Sequence, residues 1–483
     1  MTSAPAPLAR QTPAVQRAEE LDALRGIAIL AMILSGTIPF QGIMPAWMYH
    51  AQVPPPNHQF NPDLPGLTWV DLVFPLFIFA LGAAIPLAQS RRLTRGWTNL
   101  QVVLSIVKRG FLLAAFAIAS QHFRPVVISS EPVAYKWQFG LIGFAVLFCM
   151  FVQLPKSYPK WLRVLVPIGG WTAGMIFLSR LQYPHHEQYK TFSLYRSDII
   201  LLVLANIAVF ASLIWLFTRT KPGLRLGILA CLFPLQLSAS DGGWITQFLS
   251  SNPVPWLFNF GYLKYLFIAI PATLIGDYLV TWLDSDRQPE DPTRTGWRYL
   301  AIALLSLAID LTLLIGLQAR WLEVTALASL ALCFCLYLLS RNPKTETAKP
   351  IQHLSLWGFY WLTLGLAFEP YEGGIKKDPA TMSYFFVCLA MSIFLFIFLA
   401  IALRIFKQRR WLQLFIDNGR NPMIAYVAFG NLLWPVIELA GWQESIEEMT
   451  KTPWMGLAIG LIYTLTIAIF VSFCTRLKLF WKT

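Results

Sequence analysis

Thr68-Trp69-Val70-Asp71-Leu72-Val73-Phe74-Pro75-Leu76-Phe77-Ile78-Phe79-Ala80-Leu81-Gly82-Ala83-Ala84-Ile85-Pro86-Leu87-Ala88-Gln89 holds one charged side chain, Asp71, near its start. A helix that crosses the hydrocarbon core of a bilayer needs about 20 mostly apolar residues. This stretch has that length and that character. A carboxylate at its end is either part of the helix start or a group with a partner, because a charge at membrane depth costs ~2.5–3.5 kcal/mol or more.

The same pattern recurs along the chain. Candidate spans are 24–41, 69–89, 102–121, 137–153, 161–179, 198–217, 224–238, 262–283, 297–316, 321–339, 351–368, 383–405, 421–440 and 454–474, of which the first and 224–238 are the weakest. Hydrophobic residues make up 56% of the 483 and charged ones 13%, about half the ~25% of soluble domains. Mean hydropathy is +0.55. The expected fold class is all-α, a polytopic integral membrane helix bundle with about 11–14 transmembrane helices. No cleavable signal pattern is legible in the polar first ~20 residues, so the first apolar segment is expected to insert and stay.

The net charge of +13 reads as topology. Lys and Arg concentrate in loops that remain in the cytoplasm. With Arg10, Arg17 and Arg25 inside, alternate loops are basic: Arg91, Arg92 and Arg95; Lys156 and Lys160; Arg219, Lys221 and Arg225; later Arg404, Lys407, Arg409 and Arg410. The other loops are mixed or acidic, as at Glu369 and Glu372 or Glu444, Glu447 and Glu448, although Lys376 and Lys377 dilute the first of these. Both termini are therefore expected in the cytoplasm. No soluble domain presents a basic face, which argues against nucleic acid as a partner. The lipid bilayer is the expected surroundings.

Between Gly26 and Ser90 there is no Lys or Arg. This places Ala46-Trp47-Met48-Tyr49-His50-Ala51-Gln52, followed by Pro54-Pro55-Pro56, in an outer loop. His50 is the candidate for proton transfer there, since imidazole titrates near neutral pH; a structural His is the alternative. Asp71 has two readings. Thr68 as N-cap with Asp71 three residues later makes a capping box, and a partner for the carboxylate would be His50 or its loop. His185-His186 beside Glu187 lacks a third ligand at helical spacing, and no metal site is expected. Cys149, Cys231, Cys333, Cys335, Cys388 and Cys474 all lie in apolar segments and read as small buried hydrophobes.

Inner ends of spans carry further candidates. Asp22 and Arg25, at i and i+3, form a local ion pair or turn Arg25 inward toward an anionic ligand. Lys108-Arg109 anchors the third span or grips phosphates. In Asp417-Asn418-Gly419-Arg420-Asn421-Pro422, Asn421 as N-cap and Pro422 at N1 start a helix, or Arg420 and Asn421 form an anion site.

Four motifs together, Leu21-Asp22-Ala23-Leu24-Arg25-Gly26, Trp47-Met48-Tyr49-His50-Ala51, Gly66 to Phe79 and Gly419-Arg420-Asn421-Pro422, resemble the transmembrane acetyltransferases typified by heparan-α-glucosaminide N-acetyltransferase, and above all their bacterial relatives. The likeness is specific over residues 21–90, good at 417–426 and diffuse elsewhere, with Pro271 to Gly276 a further patch. It implies transfer of an acetyl group from cytoplasmic acetyl-CoA to an amino sugar or glycan across the membrane. It makes His50 the active histidine and Asp71 its motif carboxylate, with Arg25, Lys108, Arg109, Arg420 and Asn421 holding the donor. It implies a bacterial inner membrane protein, alone or as a homodimer. Residues 1–20 then form a cytoplasmic tail and 21–480 a single transmembrane acyltransferase domain, with a polar cytoplasmic linker at 284–298. Two departures stand out. Leu34-Ser35-Gly36-Thr37 replaces an Asn found in eukaryotic members, and the loop after His50 is longer, so acceptor contacts are expected to differ. A transporter or flippase of a lipid-linked or small polar solute is the alternative class, in which Asp277 and Asp310 would be the intramembrane charges of interest.

Overall fold

The computed structural model describes residues 17–40, 44–131, 133–184, 188–240, 242–252, 254–284, 292–343, 345 and 347–483. The bundle is built from α1 (Glu19–Ser35), α2 (Trp69–Thr94), α3 (Asn99–His122), α4 (Ala134–Phe151), α5 (Lys160–Arg180), α6 (Ile199–Thr218), α7 (Pro222–Leu237), α8 (Leu266–Asp284), α9 (Pro292–Gln318), α10 (Leu322–Ser340), α11 (Ala348–Tyr371), α12 (Met382–Ala400), α13 (Arg409–Arg420), α14 (Pro422–Ala428) and α15 (Pro453–Arg476). A π-turn at Phe429–Leu433 carries α14 on to Leu439. All fourteen expected spans fall on helices. Among the described residues, eleven helices are long and apolar enough to cross a membrane. The other three expected spans are α1, with 17 residues, α7, with 16, and α11, whose 24 residues include Lys349, His353 and Glu369.

Two boundaries differ from the expectation. The first helix begins at Glu19 and stops at Ser35 instead of running from 24 to 41. Glu19, Glu20 and Asp22 occupy its first turn, where the helix dipole favours acidic groups. Before the span that starts near 421 lies α13, which hydropathy alone did not mark. It is amphipathic, with Ile416 buried against the core and Trp411 81% exposed. Residues 1–16, the linker residues 285–291 and the pair His185-His186 with Glu187 lie outside the described residues.

At the centre stands α12, nearly every residue of which is buried, as befits a helix apolar all round. It is packed against α1, α2, α8, α9 and α11. At the periphery, α5 and α10 expose Trp161, Ile168 and Ile176, and Val324 and Leu327. Such faces suit lipid as solvent and would be unfavourable in water. The six cysteines are all free.

Small residues set the closest helix contacts, the usual device where lipid removes the hydrophobic drive for helix pairing. A methyl group on Gly26 of α1 would overlap the carbonyl oxygen of Phe415, and one on Gly419 of α13 would overlap that of Asp22. The glycines of two motifs separated by almost four hundred residues thus face each other across one crossing. A second crossing joins α2 to α8, where Gly82 meets the Ala269 backbone and Gly276 that of Ala83. These contacts fix α2, which carries Asp71 at one end and Arg91 and Arg92 at the other. At 1.5 Å per residue its 26 residues span ~39 Å, enough to cross a bilayer.

Candidate functional site

The site is formed where two loops meet at the N-terminal ends of α2 and α12. The first loop runs from Met44 to Thr68 and carries His50. The second, Glu372 to Thr381, joins α11 to α12. Glu372 anchors it by accepting the backbone N–H groups of Met382 (2.7 Å) and Ser383 (2.8 Å), a carboxylate placed at the positive end of a helix. The Gly66 N–H donates to the Ile375 carbonyl at 2.8 Å and locks loop to loop. The Tyr384 hydroxyl donates to the Asp71 backbone carbonyl at 2.8 Å and ties α12 to α2.

His50 and Asp71 meet directly. His50 Nδ1 lies 2.6 Å from Asp71 Oδ1. Asp71 Oδ2 accepts the backbone N–H groups of Ala51 (3.0 Å) and Thr68 (3.2 Å). The second bond is the capping-box contact expected from spacing, so the carboxylate both starts its helix and pairs with the imidazole. Its side chain is 2% exposed, while that of His50 is 40% exposed. With Nδ1–H donated to Asp71, the neutral ring presents Nε2 as its acceptor.

Lys377 completes the cluster. Its Nζ is 3.0 Å from His50 Nδ1 and 3.4 Å from Nε2, and 3.8 Å from Asp71 Oδ1. A point that close to both ring nitrogens would strike Cε1 if it lay in the ring plane, so Nζ stands over the face of the ring, off either lone-pair direction. Burial pulls the Lys377 ammonium below the ordinary lysine value, while Asp71 and then Asp378 act in the opposite sense. Gln52 holds this loop in place: its Nε2 donates to the carbonyls of Asp378 (2.7 Å) and Pro62 (3.0 Å), and its Oε1 accepts the Asp378 N–H at 2.9 Å. Tyr49 is wedged beneath, its hydroxyl donating to the Pro39 carbonyl at 2.6 Å, and burial raises its pKa.

Lys377 and Gln52 were not singled out from sequence. Gln52 sits inside the quoted motif. Lys377 is 327 residues from His50, and its one signal is a pair of lysines, Lys376 and Lys377, in a loop where the charge rule disfavours them.

The other candidates gather at the far end of α2. Arg25 donates to the Gly419 carbonyl at 3.0 Å and pairs with Asp22 at 3.3 Å, and Asp22 also pairs with Arg17. The local ion pair is therefore formed, and the same side chain also reaches the backbone of α13. Arg25 and Arg92 lie within electrostatic reach of Arg109. Arg92 donates to the Ser105 hydroxyl at 2.7 Å. Lys108 is exposed on α3. Asn421 is engaged elsewhere: its amide donates to the Leu479 carbonyl (2.8 Å) and its oxygen accepts the Trp481 N–H (3.1 Å). It makes no side-chain cap and instead clips the C-terminal tail to the bundle. Arg420 lies over the Phe480 ring of the same tail, 5.6 Å from its centroid.

The family model described as a domain of unknown function, DUF5009, matches residues 17–279, more than half of the chain. The chain belongs to that family. The matched segment holds His50, Gln52, Asp71, Arg25, Arg92 and Arg109, and leaves Lys377, Arg420 and Asn421 beyond it. The chain is also similar to heparan-alpha-glucosaminide N-acetyltransferase of Homo sapiens, 27% identical over 186 residues, 34% of this chain and 26% of that one. Against the protein of the same name from Mus musculus it is 31% identical over 137 residues, 23% of this chain and 21% of that one. The chain thus spans about a quarter of the length of the curated relatives it matches.

Proposed function

We propose that this DUF5009 chain is a transmembrane acetyltransferase that moves an acetyl group from cytoplasmic acetyl-CoA to a sugar, an amino sugar or a glycan, on the outer side of a bacterial inner membrane. The observation that carries the reading is the half-exposed His50 held on a buried Asp71. The partial likeness to named N-acetyltransferases adds to it. So does the alternation of basic loops, a charge pattern that supports an outer His50 and cytoplasmic termini.

In this reading Arg25, Arg92 and Arg109 receive the donor's phosphates, charge-assisted contacts that arginine makes well. Lys108 and Arg420 lie on the same cytoplasmic side. Asn421 acts there by shaping the tail rather than by touching the donor. The phosphate end and His50 sit at opposite ends of α2, so acetyl-CoA extends through the bundle. Asp71 orients the ring and stabilises the imidazolium that forms, the part of the third group in a triad. His50 Nε2 then acts in one of two ways. As general base it takes a proton from the acceptor hydroxyl or amine while that group attacks the thioester carbonyl, typically worth 10²–10⁴-fold. As nucleophile it attacks the carbonyl itself, the CoA sulfur leaves with the electron pair of the C–S bond, and the acetyl group passes from the ring to the acceptor.

The test uses radiolabelled acetyl-CoA and membranes holding wild type or His50→Ala. Label should reach a sugar acceptor with wild type and fail with the variant. Absence of both CoA binding and acetyl transfer in wild type would sink the enzyme reading.

A second reading, a transporter or flippase, is favoured by two cavities and by the carboxylates Asp277 and Asp310. Two adjoining cavities of ≈ 740 and ≈ 890 Å³ share Leu226 and Trp357 and run between α7, α8 and α11. Asp277 lines the first and is paired with the buried Arg225 at 2.7 Å. Asp310 is buried with Oδ1 lacking a hydrogen-bond partner among the described residues. Solute uptake that survives His50→Ala and fails with Asp277→Asn would favour transport.

A further inference from the structure

We infer that Lys377 is a catalytic residue of this site: its ammonium stabilises the negative charge that grows on a carbonyl oxygen attacked at His50, and Gln52 sets its place by gripping Asp378. The inference rests on the acetyl-transfer reading of His50 and adds a residue to it.

Distances separate this role from a plain ion pair. A lysine that serves only to neutralise a carboxylate closes to about 2.7–2.9 Å. Here Nζ stays 3.8 Å from Asp71 and comes to 3.0 Å from the imidazole. Asp71 has already given Oδ1 to His50 and Oδ2 to two backbone N–H groups, so Lys377 faces a carboxylate whose oxygens are in use. Its position off the lone pair leaves Nε2 able to meet a carbonyl carbon, with the ammonium beside the oxygen of that same carbonyl. A fixed cation beside growing charge in a partly dry site is the arrangement that lowers an acyl-transfer barrier most, and loss of one such donor costs about 10²–10³ in rate.

The placement depends on the loop. Gln52 reads the N–H and the carbonyl of Asp378 at once, and Lys377 pairs with Ala380 in an isolated antiparallel bridge. The residue next to the cation is thus fixed at two points by the motif that carries the imidazole.

In the step itself the carbonyl π pair moves to oxygen as the new bond to carbon forms. The oxyanion then collapses, the C–S bond breaks, and its electron pair leaves on the CoA sulfur, which takes up the proton that the acceptor gives up. Lys377 keeps its proton throughout.

The full chain, purified in detergent, is compared as wild type, Lys377→Met, Lys377→Arg and Gln52→Leu by two measurements. One is transfer from labelled acetyl-CoA. The other is carbethoxylation of His50 by diethyl pyrocarbonate at neutral pH, read by peptide mass mapping, which also attacks a carbonyl and needs no CoA. Lys377→Met should lower kcat about 10²–10³-fold with little change in donor KM, and should slow carbethoxylation. Lys377→Arg should regain part of both rates, and Gln52→Leu should fall between. Wild-type kcat and wild-type carbethoxylation in Lys377→Met would overturn the assignment. So would a stable acetyl group on Lys377 after incubation with acetyl-CoA, which requires a neutral amine. If wild type transfers no acetyl group, the acetyltransferase reading falls, and the carbethoxylation rates alone then decide whether Lys377 acts on His50. If Lys377→Met does not fold, Lys377→Arg and Gln52→Leu carry the comparison.

Discussion

Asp71 gives one carboxylate oxygen to His50 at 2.6 Å and the other to the backbone of Ala51 and Thr68, at the start of its own helix. Ring orientation and helix entry are therefore one structure, and the imidazole is as well fixed as the end of α2.

Removing the charge while keeping an acceptor separates the two roles. Asp71→Asn can still receive the Thr68 and Ala51 N–H groups but cannot stabilise an imidazolium. Acetyl transfer should fall about 10²–10⁴-fold with a nearly unchanged melting temperature in detergent. Asp71→Leu should lose the activity and also destabilise the fold by about 1–3 kcal/mol for each buried N–H left without a partner. Labelled transfer and thermal unfolding, run on both variants, check this.

Lys377 sets an alkaline limit. Burial lowers its pKa from the ordinary 10.5, against the opposing pull of Asp71 and Asp378. The folded protein therefore holds this proton less tightly than the unfolded chain. Stability should rise with pH between the lowered folded value and the ordinary one, as the unfavourable buried charge is discharged. Activity should fall over the same interval as the ammonium is lost. Lys377→Arg, which keeps its charge, should carry the alkaline limb of activity to higher pH. Thermal melts and transfer rates across the alkaline range, wild type against variant, measure both signs.

Gly26 and Gly419 allow α1 and α13 to cross at backbone contact. Gly26→Leu should cost about 1–3 kcal/mol or more, because the side chain must displace a backbone carbonyl. Gly227→Ala is the control, since a methyl group there meets nothing within 4 Å, and it should melt at or slightly above the wild-type temperature, as alanine is the better helix former. Detergent melting curves and the yield of folded protein decide the comparison.

The inner residues divide by role. Arg25→Met and Arg109→Met should each raise the KM for acetyl-CoA and leave kcat at saturation largely intact. Asn421→Ala should leave donor KM near wild type. It should instead release the tail, seen as faster proteolysis near Leu479, through loss of two hydrogen bonds worth about 0.5–1.5 kcal/mol each.

Much of the fold was legible from apolar runs and loop charge, because the bilayer imposes both: a spanning helix must be long and apolar, and cations accumulate on one side. Hydropathy missed α13, since an amphipathic helix lying along its neighbour has no long apolar run. The pairing of His50 with Asp71 was legible as well, as a carboxylate at membrane depth needs a partner and His50 or its loop was the one expected. Asn421 misled for the opposite reason. Its spacing before Pro422 is that of a helix cap, and nothing local tells that its amide is taken by the tail about sixty residues on.

The sequence by itself determined the membrane bundle, the stretch from Gly26 to Ser90 without Lys or Arg, and the histidine and carboxylate within it, because each is a property of neighbouring residues. Only the tertiary structure decided that Lys377 stands against His50, that Gln52 grips the loop which brings it there, and that Gly26 meets α13 at Gly419. Those contacts join segments some three to four hundred residues apart, and their geometry exists only once the helices between them have packed around α12.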